Sequence, residues 1–361
     1  MTDPRSAPAL AVVGAAGAVG SVLLQILSQR ADVWGGIRLI AASPADRAAG
    51  RPLAVRGEEC EVLPLTEDAF EGLGPGDVVV FLTADDVCAR WAPDVTARGA
   101  VVVDQSGAFR ADPEVPLVVP ELNAAAARIR PRGILAGPGA TTLALTVVVG
   151  ALHAEFGLRD LTVSSYQAAS SAGLPGTDAL RRQLALVAGR ELGGQPGDVR
   201  RAVGEDLGPF AAPLALNVVP WSGEPAEDGW SSEELAVRAE TRKVLGLEAL
   251  PVAVTCVRVP VVTGHSLSVR ARFEGEVSLA RAHEILAAAP GVVLVDDPAT
   301  GEFPTPADAV GTDPAWVGRV RRSLDDPCGL EFFVSMDNLR KGAALNAAQI
   351  AELLAAESAS R

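Results

Sequence analysis

Lysine is almost absent from this chain of 361 residues: Lys243 and Lys341 are its only two, and arginine supplies nearly all of the positive charge. Basic side chains number 31 against 45 acidic ones, which gives a net charge of −14. A surface that acidic disfavours nonspecific binding to nucleic acid or to anionic membranes. We therefore expect neither nucleic acid nor a membrane as a partner.

Paired cysteines, an N-terminal signal and long apolar runs are lacking as well. The four cysteines are scattered, without a CxxC pair and without the spacing of a metal site. Residues 1–8 are polar, and glycines interrupt the apolar run that follows. No stretch has the length that a membrane helix needs. These absences predict free thiols, no bound metal and a cytoplasmic location.

The first hundred residues alternate between short apolar runs and helical patterns. The expected strands are 9–14, 37–42, 78–83 and 101–104, and helices are expected at 18–30 and 86–98. This alternation is typical of a Rossmann-type doubly wound parallel sheet with helices on both faces. Beyond residue 160, several runs alternate at period two and predict a mixed sheet: 161–167, 254–262 and 266–275. The predicted fold class is therefore α/β, with a Rossmann-type N-terminal domain and a second, α+β domain.

A glycine-rich turn, Gly14 to Gly20, joins the first predicted strand to the first helix. Glycine lets the backbone approach a pyrophosphate, and a helix N-terminus supplies N–H donors and the positive end of a dipole. A tight turn without any ligand is the alternative. The second strand lacks the acidic residue that would bind the ribose of NAD, so Ser43 and Arg47 favour the 2′-phosphate of NADP. A solvated loop position for Arg47 is the alternative there.

Longer segments match one known family in the same order along the chain. They are AVVGAAGAVGS (11–21), DQSGAFRADPEVPLVVPEL (104–122), SSYQAASSAG (164–173), LNVVP (216–220), ETRKVLG (240–246), TCVRVPVVTGHS (255–266), VGRVRRS (317–323) and DNLRKGAALNAAQIAE (337–352). The chain resembles the aspartate-semialdehyde dehydrogenase family. This resemblance implies an NADP-binding domain at 1–138 plus 342–361, a catalytic and dimerisation domain at 139–341, and a homodimer or homotetramer.

The resemblance also implies roles for individual residues. His265 corresponds to the acid/base histidine, Gln167 to the glutamine that positions the acyl intermediate, and Arg258 to the arginine that grips the substrate carboxylate. Arg110 corresponds to a phosphate-binding arginine, and Glu233 to a glutamate that contacts the substrate amine. These residue types suit such roles, because arginine binds a carboxylate through two parallel bonds and histidine exchanges protons near neutrality. Contacts to the cofactor are implied for Gly14, Ala16, Gly17, Ala18, Val19, Ser43, Arg47, Ser170 and Asn338.

The resemblance fails at the nucleophile. The family segment reads like N-P-N-C-[ST]-[ST], whereas residues 137–142 read GPGATT and put Ala140 at the cysteine position. Alanine cannot form a thioester, and the threonine after it would need an adjacent base that is not evident in the sequence. The family's phosphate-binding lysine is replaced by Ala236. Asp85 and Asp86 lie in a loop expected near the pyrophosphate, where carboxylates would be repulsive.

These departures lead to a ranked set of functional hypotheses. First comes a divergent enzyme that acts on a small amino-acid-like carboxylate by acid/base chemistry without a thioester. It would catalyse either an NADP-dependent reduction in specialised metabolism or, as a repurposed non-redox enzyme, a lyase or cyclase reaction. Second comes a catalytically inactive homologue with a binding or regulatory role. An ordinary aspartate-semialdehyde dehydrogenase ranks last. The sequence thus predicts an oxidoreductase-like enzyme that is not a conventional phosphorylating aldehyde dehydrogenase.

Overall fold

The computed structural model describes residues 7–30, 32–43, 46 and 48–359, which form two compact units. The first unit comprises the described residues up to Gly139 together with those from Ala343 onward, and the second comprises Ala140–Gly342. In the described part of the chain, no helix is both long enough and apolar enough to cross a membrane.

The first unit is built on a seven-stranded sheet in the order β3-β4-β2-β1-β5-β6-β7. All neighbouring strands are parallel except β3 and β4, which pair antiparallel at one edge. The central strands are apolar and buried on both faces, as a parallel sheet covered by helices requires. Its elements are β1 (Ala9–Val13), α1 (Ala18–Gln29), β2 (Gly36–Ile40), β3 (Pro52–Val55), β4 (Glu58–Leu63), β5 (Val78–Phe81), α2 (Asp85–Ala97), β6 (Val101–Asp104), α3 (Pro120–Asn123) and β7 (Ile134–Ala136).

The edge hairpin β3–β4 lies outside the predicted alternation. Its two-residue turn consists of Arg56 and Gly57, with φ of 54° and 79°. Two successive positive φ values are typical of a type I′ turn, whose twist matches the twist of the flanking strands. The sequence gives only a weak signal for this turn, because arginine is unusual in that conformation.

The second unit contains a six-stranded mixed sheet in the order β11-β12-β13-β10-β8-β9. Strands β8 and β9 are parallel, as are β11 and β12, and the remaining pairs are antiparallel. The predicted fold class is therefore confirmed. The elements are α4 (Ala140–Phe156), β8 (Leu158–Gln167), α5 (Gly173–Val187), α6 (Asp198–Val203), α7 (Ser232–Leu245), β9 (Val252–Arg258), β10 (His265–Phe273), α8 (Leu279–Ala288), β11 (Val292–Leu294), α9 (Pro306–Ala309), β12 (Ala315–Arg322) and β13 (Gly329–Met336).

A π-helical turn, Arg340–Leu345, leads into the last helix, α10 (Asn346–Ala359). Helix α10 packs on the first unit, where its apolar side chains join the core that also contains β1 and β5. Its Glu352 pairs with Arg30 at the end of α1, with Nε and Oε1 2.5 Å apart. The C-terminal segment thus completes the unit that the N-terminal segment begins.

Candidate active site

Three of the predicted site residues lie at one end of the six-stranded sheet, on three adjacent strands. Gln167 ends β8 and Arg258 ends β9, and the parallel register makes them direct neighbours. His265 begins β10, one step beyond the antiparallel pair of Ser266 and Tyr166, so it lies opposite Gln167. Because neighbouring residues across a sheet point to the same face, these three side chains share one face.

The first turns of α4 and α7 add two more side chains to this site. Thr141 Oγ1 donates a hydrogen bond to Glu233 Oε1 at 3.3 Å and accepts one from Gln167 Nε2 at 2.8 Å. Gln167 Nε2 also donates to Glu233 Oε1 at 3.0 Å. Thr141 and Gln167 are both buried. A closed hydrogen-bond triangle therefore joins a hydroxyl, an amide and a carboxylate. It could not be predicted from the sequence, because the partners of Glu233 lie 66 and 92 residues away along the chain.

A capping box fixes the position of Glu233. The Ser231 hydroxyl accepts from the Glu234 N–H at 3.3 Å, while Glu234 Oε2 accepts from the Ser231 N–H at 3.0 Å. The other Glu234 oxygen accepts from the Cys256 N–H at 3.0 Å and so ties the start of α7 to β9. Glu234 was not among the predicted site residues, although the S-x-x-E pattern before α7 is a signal for such a cap.

Arg258 is partly held by the loop that follows β8. Its Nη1 donates to the Ala168 carbonyl oxygen at 3.3 Å and to the Ser171 hydroxyl. Burial lowers the pKa of the Arg258 guanidinium, and the charge of Glu233 opposes that shift. Since only Nη1 is used within the described residues, the Nε and Nη2 donors can bind a substrate carboxylate.

His265 is buried, with 1% of its surface exposed. Its Nδ1 accepts from the Ala168 N–H at 3.2 Å. Burial, and then the charge of Arg258, lower the pKa of His265 to about 3. The imidazole is therefore neutral at physiological pH. Because Nδ1 accepts a hydrogen bond, the proton is on Nε2, which is a hydrogen-bond donor.

Ser170 and Asn338, both predicted cofactor contacts, are buried and bonded to each other. Asn338 Nδ2 donates to the Ser170 hydroxyl at 2.9 Å. Asn338 Oδ1 also accepts from the N–H of Gly264 at 2.8 Å, and Gly264, with φ of 99°, turns the chain into β10. In the structure this pair braces the turn before His265, and its contact with a cofactor stays a prediction.

The glycine turn of the first unit fits a pyrophosphate. Gly14 has φ of 85°, and a Cβ there would lie 2.4 Å from the Leu82 carbonyl oxygen. Gly17 is the N-cap of α1, which has neither a side-chain cap nor an acid in its first turn. The first N–H groups of α1 are thus left for an anionic ligand, at a surface where Ala16 to Val19 are accessible.

Asp85 and Asp86, which were expected to repel a pyrophosphate, begin α2, and their effect on a bound cofactor stays a prediction. Asp85 Oδ1 accepts from the Gly107 N–H at 2.8 Å, so its carboxylate is already engaged, and Asp86 is exposed. Strand β2 ends at Ile40, and Ser43 lies in the partly exposed loop after it. Arg47 lies outside the described residues.

Arg110 belongs to the first unit, where backbone carbonyls hold its side chain. Nε donates to the Gly137 oxygen at 2.9 Å, and Nη2 donates to the Gln105 oxygen at 3.0 Å. Its predicted role in binding phosphate stays a prediction. Across the described residues, no cluster of His, Cys, Asp and Glu side chains could hold a metal ion.

Neither buried cysteine has the character of a nucleophile. In the second unit, burial and the charge of Glu233 raise the pKa of the Cys256 thiol to about 12. In the first unit, burial and Asp104 raise the pKa of Cys88 still further. A nucleophilic cysteine needs a lowered pKa, because the thiolate is the reactive form.

Comparison with known proteins identifies the family. A model described as semialdehyde dehydrogenase, NAD binding domain, matches residues 9–129, and one described as semialdehyde dehydrogenase, dimerisation domain, matches residues 149–341. The chain therefore belongs to the semialdehyde dehydrogenase family.

Relatives named for a particular substrate match almost the full length. Aspartate-semialdehyde dehydrogenase of Corynebacterium glutamicum is 44% identical over 353 residues, covering 96% of this chain and 98% of that one. The Bacillus subtilis protein of the same name is 35% identical over 351 residues, with 96% of each chain covered. The crystal structure of aspartate semialdehyde dehydrogenase II from Vibrio cholerae superposes with a TM-score of 0.86 at 32% identity, covering 96% and 98% of the two chains.

These relatives overturn the ranking made from the sequence. A divergent enzyme without a thioester, in specialised metabolism or as a lyase or cyclase, ranked first, an inactive homologue second and the ordinary enzyme last. That ranking is wrong, because proteins named aspartate-semialdehyde dehydrogenase match the chain at 35–44% identity over nearly its whole length. The ranking rested on residues 137–142, Ala236, Asp85 and Asp86, and gave these departures more weight than the agreement along most of the chain.

Proposed function

We propose that the protein is an aspartate-semialdehyde dehydrogenase, which interconverts aspartate semialdehyde and the corresponding acyl phosphate with a nicotinamide cofactor. The observation that carries the proposal is the meeting of Arg258, Glu233, Gln167 and His265 at one end of the mixed sheet. The relatives that match the whole chain bear the name of this activity.

The charges of the site suit an amino acid with an aldehyde side chain. Nε and Nη2 of Arg258 bind the α-carboxylate through two parallel bonds. Glu233 uses Oε1 within the triangle, so Oε2 remains to accept from the α-ammonium group. A cation and an anion side by side thus match the two charged groups of the substrate and leave its aldehyde to point at the remaining polar groups.

His265 acts as a hydrogen-bond donor to the reacting carbonyl oxygen. Because its imidazole is neutral and Nδ1 accepts from Ala168, Nε2 carries the proton, and we assign this donor to the oxygen on which negative charge develops. A preorganised donor in a buried site stabilises such charge more than water does. This role does not require the His265 imidazole to become protonated.

The cofactor belongs to the turn between β1 and α1, where Gly14, Gly17 and the N–H groups of Ala18 and Val19 receive its pyrophosphate. We assign NADP, because the loop after β2 offers Ser43 and because the only described acid there, Asp46, already accepts from the N–H groups of Ala42 and Ala48. A nicotinamide cofactor held there would supply the hydride-transfer chemistry of the proposed reaction.

The assembly we propose is a homodimer, in line with the dimerisation domain of the family. A cytoplasmic location stays a prediction, which rests on the scattered free thiols. Arg110 is assigned to phosphate. We assign Ala140 to the position of the family's nucleophilic cysteine. The methyl group of Ala140 has no lone pair with which to attack a carbonyl.

The test is an assay with L-aspartate semialdehyde, phosphate and NADP⁺, followed by the absorbance of the reduced nicotinamide. We expect turnover at roughly 1–1,000 per second, and a much slower rate without phosphate. In Arg258→Lys, KM for the semialdehyde should rise roughly 10- to 100-fold, because a bidentate charged contact is lost. Arg281→Gln, on the exposed surface of α8, should leave KM unchanged. No turnover by the wild-type protein would rule out the proposal.

A further inference from the structure

Thr141 is the hydroxyl best placed to replace the nucleophile that position 140 lacks. It directly follows Ala140 in the first turn of α4, and its side chain is buried, with 1% exposed. Its Oγ1 donates to the Glu233 carboxylate at 3.3 Å, so the base that a threonine nucleophile requires is present. That base comes from another helix, 92 residues further along the chain.

The second hydrogen bond of Thr141 favours the same role. Gln167 Nε2 donates to Oγ1 at 2.8 Å, and a donor at this oxygen stabilises the negative charge that it carries when a bond to carbon breaks. Thr141 also lies at the N-terminus of a 17-residue helix, whose dipole favours negative charge nearby. Both features act on the oxygen, and neither depends on position 140.

The other candidate nucleophiles of the second unit lack this arrangement. The Cys256 thiol lies beside Glu233 and Glu234, whose charges oppose formation of a thiolate. Thr142 also donates to a carboxylate, Glu240 Oε2 at 2.8 Å, but it bonds neither to Gln167 nor to Glu233. Thr142 is therefore a matched control, since it has the same side chain in the same helical turn and faces a different acid.

We propose that Thr141 carries the acyl group as an oxygen ester, with Glu233 as its general base, an inference that rests on the proposed function. Oγ1 bonds to the acyl carbon of the acyl phosphate while the bond from that carbon to the phosphate oxygen breaks. Glu233 takes the hydroxyl proton, and phosphate leaves with the electron pair. In the opposite direction phosphate attacks the ester, and Glu233 returns the proton to Oγ1.

The test is acylation in the absence of any nicotinamide, read by mass spectrometry. The probe is L-aspartyl β-phosphate, which an added aspartate kinase generates in the reaction mixture from aspartate and ATP. We expect one aspartyl group on the peptide that contains Thr141, stable to neutral hydroxylamine as an oxygen ester is. The label should persist in Thr141→Ser and Thr142→Val and vanish in Thr141→Val. In Ala140→Cys it should move to residue 140 and become sensitive to hydroxylamine.

The semialdehyde assay separates this inference from the proposed function. We expect Thr141→Val to lose roughly 1,000-fold or more in turnover, while Thr142→Val and Thr141→Ser stay within about tenfold of wild type. If the wild-type protein turns over but Thr141 carries no label, or if Thr141→Val stays active, the nucleophile is overturned and the function is kept. A labelled Thr141 without turnover would keep the nucleophile and overturn the function. Neither label nor turnover would overturn both, and thermal unfolding verifies that each variant is folded.

Discussion

At the scale of single residues, His265 shows how burial sets chemistry. The resemblance to the family implies an acid/base role for it, and a histidine normally titrates near neutrality. The structure buries it beside Arg258, which lowers its pKa to about 3 and keeps the imidazole neutral. A histidine in that state is neutral near physiological pH and can donate a hydrogen bond from Nε2.

The shifted pKa of His265 predicts a specific loss of stability in acid. Between pH 6.5 and 3 the unfolded chain binds a proton at this side chain and the folded chain does not. The stabilisation is therefore complete above pH 6.5 and is lost as the pH falls, with a slope of about 1.4 kcal/mol per pH unit. His265→Asn keeps an acceptor for the Ala168 N–H and should remove this part of the slope. Denaturant unfolding of both proteins at pH 7.5, 6 and 5 measures the difference, and equal slopes would contradict the assignment.

Individual site residues could be named from the sequence, but their partners could not. Gln167, Arg258 and His265 were identified by resemblance, and the sheet register then makes them neighbours. The partnership of Thr141 with Glu233 joins two helix termini that no local pattern relates. Long-range contacts of this kind depend on how helices pack on the sheet, which short-range periodicity does not encode.

At the scale of elements, the sequence predicted best where local and tertiary preferences agree. Strand β6 was predicted at 101–104 and is found there, because three successive valines, followed by the buried Asp104, lie in a parallel sheet. The run 254–262 was predicted as one strand, yet β9 ends at Arg258, because Pro260 cannot continue a hydrogen-bonded ladder. Helix α4 was not predicted, since it is apolar on nearly all sides and shows no amphipathic period.

The first turn of α1 predicts a sharp intolerance of Gly20 to substitution. A Cβ at Gly20 would lie 2.3 Å from the Gly14 carbonyl oxygen and 2.4 Å from that of Ala15. We expect Gly20→Ala to lower the free energy of unfolding by about 1–3 kcal/mol, because the turn must move to admit the methyl group. It should also weaken stabilisation by NADP⁺.

Gly36→Ala is the matched control, since a Cβ at Gly36 meets no atom within 4 Å. Thermal unfolding with and without NADP⁺ measures both effects. If Gly20→Ala unfolds like Gly36→Ala and binds NADP⁺ like the wild type, the close approach of these backbone segments is not required.

The capping box of α7 predicts a separation of stability from activity. Ser231→Ala removes the hydroxyl that accepts from the Glu234 N–H and should cost about 1 kcal/mol. Ser278→Ala removes an equivalent cap from α8, where the hydroxyl accepts from the Arg281 N–H at the same 3.3 Å. Both variants should lose similar stability in denaturant unfolding. Only Ser231→Ala should reduce kcat/KM, because only α7 carries Glu233, and equal activities would contradict this.

At the scale of the whole molecule, the function predicted from the sequence was wrong. A change of reaction was inferred from residues 137–142, together with Ala236, Asp85 and Asp86, although most of the chain agreed with the family. An acyl transfer site is a set of groups around a carbonyl, and several of those groups remain when one is replaced. Turnover can persist when another hydroxyl with a base is within the same hydrogen-bond network, as Thr141 is with Glu233.

The second unit also predicts how two copies assemble. Helices α4, α7 and α8 pack on one face of the six-stranded sheet, whereas the opposite face presents exposed or half-buried side chains. Tyr166 and Phe333 form an aromatic pair there, with ring centroids 6.0 Å apart and Tyr166 36% exposed. An apolar centre with polar surroundings is typical of an interface, and the family model for this unit is described as a dimerisation domain.

We therefore expect a homodimer that forms through this sheet face. Phe333→Glu places a charge at the centre of the face, where two symmetry-related carboxylates would have to be buried together, and should shift the protein to a monomer. Leu324→Glu is the control, because Leu324 is a fully exposed apolar side chain in the turn between β12 and β13 and should not affect assembly. Sedimentation velocity at several concentrations measures the mass of each. A wild-type monomer would contradict the homodimer itself, and a Phe333→Glu protein that stays dimeric would place the interface on another surface of the second unit.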